Sequence, residues 1–290
     1  MSLTAKQKEF DRLQQSLVHS GLQTVRSNEL ICPLCWQSTP FDDLSLEHIV
    51  PSSVGGRQTT LTCRTCNNDH GRKLDSHLAN FQQVHDAFRG HGHLRTKLNI
   101  NGNEMVANLQ WKEGQKSFHI VGKASNPIAL TTSEADFHSG NVDEFTFTIL
   151  YNYARNNFKT SLLRSAYLVL FKHFGYEYAK HSIANEIRKR VMDLSLEQPN
   201  IDSLIVEARG FRPPFDDQQY VIPGSINDAE FCLVILRIRR ATTKYMGVYL
   251  PLPCDDCGKF FKLMNSFAKE QNGLKMSIPA EAILKSKQSE

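Results

Sequence analysis

Residues 44–75 read LSLEHIVPSSVGGRQTTLTCRTCNNDHGRKLD, and ICPLC stands just upstream at 31–35. Two Cys-x-x-Cys pairs, Cys32/Cys35 and Cys63/Cys66, therefore bracket a Glu-His dipeptide and a Gly-Gly turn, with 27 residues between the pairs. Each pair presents two thiolates from one tight turn, and two such turns together supply the tetrahedral four-sulfur shell of a structural zinc. Between the pairs, LSLEHIV reads as a strand, SSVGGR as a glycine-assisted turn and QTTLTC as a returning β-branched strand. From Asn67 to about Phe88 the pattern turns helical, with Leu74, Leu78, Phe81, Val84 and Phe88 spaced by three and four. The order is β, β, α, a unit with too little apolar surface to be stable without a metal clamp. All four zinc positions are filled by sulfur, so any chemistry has to sit elsewhere.

Glu47 and His48 are adjacent in the first strand, so their side chains leave on opposite faces unless the strand is irregular. Asn67 follows the last cysteine, and His70 lies three residues on, on the same helical face. A carboxylate and an amide oxygen, or an imidazole, converging from strand and helix suit a hard or borderline divalent ion that also keeps waters and a phosphate oxygen. A neighbouring neutral imidazole could then deprotonate water for attack on a phosphodiester. His70 is open to three roles: further ligand, phosphate contact or solvated helix residue. Arg57, Arg72 and Lys73 flank the motif as candidate phosphate contacts.

CPLC, LEHIVPSSVGG and LTCRTCNNDHG together resemble the HNH endonucleases of the zinc-braced ββα-metal type. The resemblance covers about residues 30–75. It implies Glu47 and Asn67 as protein ligands of a catalytic ion (Mg²⁺, or another divalent ion such as Mn²⁺ or Ni²⁺), with His48 as the general base. Two departures stand out. Glu47 replaces the commoner Asp, adding a methylene of reach. The middle Asn or His that orients the base in relatives has no clear counterpart, so Gln58, a Thr59 or Thr60 hydroxyl, or a backbone carbonyl would have to serve.

The rest of the chain bounds this reading. With 290 residues, 40% apolar and 22% charged, it is long enough for a proper core without disulfides. The start, MSLTAKQKEFDRLQQ, lacks the apolar run of a secretory signal, and AYLVLF and CLVIL are too short to span a bilayer. A cytoplasmic, reducing setting without membrane contact is the simplest expectation, and it turns paired cysteines toward metal. Net charge is +4; residues 1–93 hold nine Lys/Arg and nine Asp/Glu, so the excess lies downstream. Part of any phosphate-binding surface is therefore expected there, with Arg188, Lys189 and Arg190, and Arg237, Arg239 and Arg240, as basic clusters.

Residues 4–19 carry Phe10, Leu13 and Leu17 on a helical period, with Gly21 as the expected cap. RGHGH at 89–93 reads as a break. Beyond it LRTKLNI, EMVANLQWK and KSFHIVG predict a hairpin meander with turns at NGN and EGQ. DEFTFTILY predicts another strand. NNFKTSLLRSAYLVLFKHFG predicts a helix apolar nearly all round, YEYAKHSIANEIRKRVMDL a second helix, FCLVILRIRR and YMGVYLPLP two strands, and KFFKLMNSFAKE a last helix. Cys254 and Cys257 repeat the Cys-x-x-Cys spacing without a second pair.

The expectation is an α+β protein. Residues 1–90 are a helix plus zinc-braced ββα-metal nuclease domain, and residues 94–290 a larger domain of antiparallel strands and helices that positions substrate, senses a signal or forms a homo-oligomer. Its activity would be phosphodiester hydrolysis in nucleic acid, double-stranded DNA first and RNA second, in a restriction or antiphage defence role. The rival from another class is a non-catalytic zinc module that binds nucleic acid or a protein partner.

Overall fold

The computed structural model describes residues 3–23, 26–112, 118–122, 127–151, 153–192, 202–226, 229–253, 257–268 and 280–284. Helix α1 (Ala5–His19) starts where the Thr4 hydroxyl accepts the Gln7 N–H, and it buries Phe10, Leu13 and Leu17, whose spacing predicted it. Strands β1 (Glu29–Ile31) and β2 (Ser38–Pro40) pair antiparallel around the first cysteine loop. Strands β3 (Leu44–His48) and β4 (Thr59–Cys63) form the expected hairpin, with Glu47 opposite Thr60 and His48 opposite Thr59.

Helix α2 (Arg64–His70), a π turn (Gly71–Asp75) and helix α3 (Ser76–Phe88) then run on without a gap. The ββα order is therefore present. Its helix begins at Arg64, three residues before the expected Asn67, because the Cys63 sulfur accepts the Cys66 N–H at 3.4 Å and serves as the cap.

Next come β5 (Leu94–Ile100), β6 (Asn103–Trp111), β7 (Phe118–Gly122), α4 (Pro127–Ser139) and β8 (Phe145–Ile149). The strands form an antiparallel sheet in the order β7-β6-β5-β8. Asn101 and Gly102 both take positive φ between β5 and β6, as a two-residue hairpin turn requires. Helix α4 had no counterpart in the sequence pattern.

The chain closes with α5 (Arg155–Phe174), α6 (Tyr176–Ala179), α7 (Ser182–Met192), β9 (Ile205–Glu207), β10 (Gln219–Ile226), β11 (Ala229–Arg239), β12 (Thr243–Pro251) and α8 (Cys257–Ala268). The four strands make a sheet ordered β10-β11-β12-β9. One helix expected over 176–194 is instead two. The break falls after Ala179, whose carbonyl accepts a hydrogen bond of 2.5 Å from Arg188 rather than continuing the helical ladder.

Two compact units result, and they are not consecutive blocks of sequence: Met1–Leu78 groups with Ala154–Ile238 and Thr243–Glu290, and Ala79–Tyr153 with Arg239–Thr242. In the first unit, Phe10, Leu13 and Leu17 of α1 share a core with Leu30, Leu44, Leu61, Phe171, Tyr176 and Ala179. The hairpin carrying Glu47 and His48 is thus packed on side chains from α1 and from α5 and α6, far apart in the sequence. In the second unit, the Asp86 carboxylate accepts the Ala241 and Thr242 N–H groups at 3.2 and 3.0 Å, which brings the turn at 239–242 into it. Among the described residues, no helix is long and apolar enough to cross a membrane. Cys254 lies outside the described residues, as does the side chain of Cys257.

Candidate active site

The four cysteines come together as their spacing predicts. Their sulfurs all lie within 4.8 Å of one another, and among the described residues they are the one group of three or more His, Cys, Asp or Glu that could hold a metal ion. The Sγ atoms of Cys35 and Cys63 are 3.8 Å apart, the edge of a tetrahedron with Zn–S bonds of about 2.3 Å. The crowded thiols share protons unequally: hydrogen bonding with Cys32 draws Cys63 down and lowers Cys35 to about 7, while Cys32 and Cys66 are driven up. The donor set therefore fits a structural zinc.

The first cysteine loop is held from outside the motif. Trp36 takes a left-handed backbone conformation (φ 61°), unusual for a large side chain. Its ring is fixed by the Arg188 guanidinium 4.0 Å above it and by Tyr176 at 6.2 Å. Tyr167 donates to the Pro33 carbonyl at 2.8 Å and Tyr176 to the Ile31 carbonyl at 2.5 Å. Helices α5 to α7 thus grip the backbone of the loop whose sulfurs face the metal site.

Glu47 and His48 leave β3 on opposite faces, as their adjacency requires: Glu47 is 2% exposed, while His48 is open to solvent. The end of the strand is fixed by a tight loop. Ile49 N–H donates to Gln58 and Gly56 N–H to Pro51, and any side chain at Gly56 would drive its Cβ to 1.6 Å from the Val50 carbonyl oxygen. Glycine is obligatory there. Asn67 donates through its side-chain amide to the Ser45 hydroxyl at 2.9 Å and the Leu46 carbonyl at 3.3 Å, which locks α2 against β3. Its amide oxygen is the atom that could ligate an ion.

His70 is buried, not solvated, and its Nδ1 has no protein hydrogen-bond partner. Burial, aided by the Arg164 charge, lowers it to about 4, so it is neutral at physiological pH. Arg57, Arg72 and Lys73 are all exposed; Arg72 comes within 3.6 Å of Asp69, and the backbone N–H of Arg57 is held by Gln218 at 2.6 Å. Of the candidates for orienting His48, Gln58 commits its amide donor to Asp217 and Thr60 its hydroxyl to Glu9, both at 3.1 Å. Thr59, directly across the ladder, keeps its place beside His48.

Two residues absent from the sequence reading sit in this site. Arg164 of α5 is fully buried and donates through Nη2 to Glu47 Oε1, and its Nη1 lies 3.7 Å from Asp75 Oδ1. Asp75 closes the π turn, five residues after His70, and burial raises its carboxyl to about 6. Burial also raises the Glu47 carboxyl, and the Arg164 charge only partly offsets it. A charged residue in the middle of a helix apolar all round was the one signal for Arg164, since such a residue needs a buried partner.

For a divalent ion the fit rests on donor chemistry: Glu47 Oε2 and His70 Nδ1 are buried without a protein hydrogen-bond partner, and Asn67 offers its amide oxygen. These are oxygen and imidazole donors of the kind that hard or borderline ions take. The residues near β3 and α2 thus fit such an ion chemically, beside the separate four-sulfur group.

A family model for HNH endonucleases matches residues 32–82. Comparison with curated proteins and with solved structures gave no significant match. The matched segment runs from the first cysteine through the hairpin, α2, the π turn and into α3, and so contains every motif element described above. Residues 32–82 form an HNH domain by this match, within a mixed α+β chain whose four clustered cysteines can hold a zinc ion.

Proposed function

We propose that this protein is a metal-dependent endonuclease that hydrolyses phosphodiester bonds in double-stranded DNA. The observation that carries the reading is the division of labour on β3: a solvent-facing His48 beside a buried Glu47, inside an HNH module. His48, open to solvent, would take a proton from a water that attacks the phosphorus. Glu47 and Asn67 would hold the catalytic divalent ion, with His70 as a further donor; the bound ion would supply charge neutralisation at the scissile phosphate and at the leaving oxygen. Arg57, Arg72 and Lys73, exposed on the same module, would contact flanking phosphates and set register rather than sequence.

The zinc takes no part in this chemistry. Four sulfurs fill its shell, so its role is to hold the hairpin and α2 in place. A restriction or defence role would follow if residues outside the module choose the target.

A second reading, a zinc module that binds nucleic acid without cutting, draws on one observation: Glu47 Oε1 is already taken by Arg164. Supercoiled plasmid and single-stranded RNA, each incubated with the purified protein and Mg²⁺, Mn²⁺ or Ni²⁺, separate the cases. Plasmid nicking without RNA cleavage is expected. Binding to DNA with no cleavage under any ion would favour the second reading, and cleavage of RNA alone would replace DNA as the substrate.

A further inference from the structure

Arg164 lies far outside the HNH module, yet its guanidinium sits between two acidic side chains of that module. One tine of the fork holds Glu47 Oε1, and Nη1 lies 3.7 Å from Asp75. A pair built only for stability would be fully hydrogen-bonded, because each buried unpaired polar atom works against folding. Here Arg164 Nε and Nη1, Glu47 Oε2, Asp75 Oδ1 and His70 Nδ1 all lack a hydrogen-bond partner among the described residues. The arrangement leaves one oxygen of Glu47 held and the other available.

The position of the guanidinium is itself fixed. Tyr167, one helical turn on from Arg164, is anchored on the Pro33 carbonyl in the first cysteine loop. Helix α5 therefore carries both a grip on the zinc loop and a grip on Glu47. Asp75 reaches Arg164 because the π turn adds a residue between it and His70, and such turns recur at functional sites.

We infer that Arg164 is a positioning residue for the divalent-ion site, holding Glu47 by one oxygen so that the other can ligate, with Asp75 as the counter-anchor that keeps the guanidinium from closing over both oxygens. The inference rests on the nuclease reading and adds to it a residue supplied from α5.

The test is Mn²⁺ affinity, read from loss of the free-ion electron paramagnetic resonance signal on the full-length, zinc-loaded protein. Arg164→Lys keeps the charge but cannot span two carboxylates, and is expected to weaken Mn²⁺ binding about 10–100-fold, the range for residues that orient ligands. Asp75→Asn is expected to weaken it in the same direction while leaving one zinc per chain, and it decides the matter if Arg164→Lys does not fold. Lys159→Gln, which removes a different buried cation of α5, one paired with Asp202, serves as the structural control and should leave Mn²⁺ affinity within about twofold. Affinities unchanged in both Arg164→Lys and Asp75→Asn, or lowered equally in Lys159→Gln, would overturn the inference alone. Wild-type protein that neither binds Mn²⁺ nor nicks DNA would instead overturn the nuclease reading beneath it.

Discussion

Replacing Arg164 with Met removes a buried charge while keeping most of the side-chain volume. Glu47, 2% exposed, is then left without its counter-ion. Breaking a buried pair on one side costs about 3–5 kcal/mol when the remaining charge cannot escape. Glu47 can escape by taking a proton. From its ordinary value of 4.5, protonation at pH 7 costs about 3 kcal/mol, at 1.36 kcal/mol per pH unit. That sets the ceiling for the Glu47 share of the electrostatic loss, and the sign of its pH dependence follows. The folded variant holds a proton that the unfolded chain releases near 4.5, so the variant's deficit is smallest below that value and grows as pH rises toward 7. At pH 5 the same arithmetic leaves less than about 1 kcal/mol. Urea unfolding at pH 5 and pH 7, followed by Trp36 fluorescence in a Trp111→Phe background, reads this out within the first unit. The double variant Arg164→Met/Glu47→Gln should recover most of the loss at pH 7. A deficit equal at both pH values, or a double variant as unstable as Arg164→Met alone, would refute the argument.

Two further outcomes follow from the same geometry. Cys32→Ser should lose the zinc, which otherwise binds at one per chain and survives dialysis, and should raise hydrogen exchange across Glu29–Cys66; a folded wild-type protein free of zinc would remove the brace. Gly56→Ala forces a Cβ onto the Val50 carbonyl oxygen, so the loop must shift, with an expected cost of about 1–3 kcal/mol and loss of cleavage with zinc retained; full activity in this variant would show that the loop does not place His48.

What the sequence made legible was local. The cysteine pairs, the β3–β4 hairpin and the helix that follows depend on spacings of a few residues; the first two appear where the pattern put them, and the helix starts three residues early, at Arg64. The NGN turn is visible for the same reason, since the positive φ at Asn101 and Gly102 is a local demand. His70 shows where the pattern stops informing: period alone left it open between ligand, phosphate contact and solvated residue, and only packing buries it. Arg164 and Asp75 lay beyond reach for different causes. Arg164 meets Glu47 across 117 positions of sequence, a tertiary pairing that no window contains. Asp75 falls into place through a π turn, which shifts it off the 3.6-residue period used to group side chains. The split between α6 and α7 was hidden likewise, because the Arg188 side chain that takes the Ala179 carbonyl comes from nine residues downstream.

The most direct measurement is plasmid nicking by wild type and His48→Ala under Mg²⁺, Mn²⁺ and Ni²⁺, with zinc content checked in both. A metal-dependent wild-type activity, lost by about 100-fold or more in a zinc-loaded His48→Ala, is the predicted result. Equal nicking by both proteins would contradict the account.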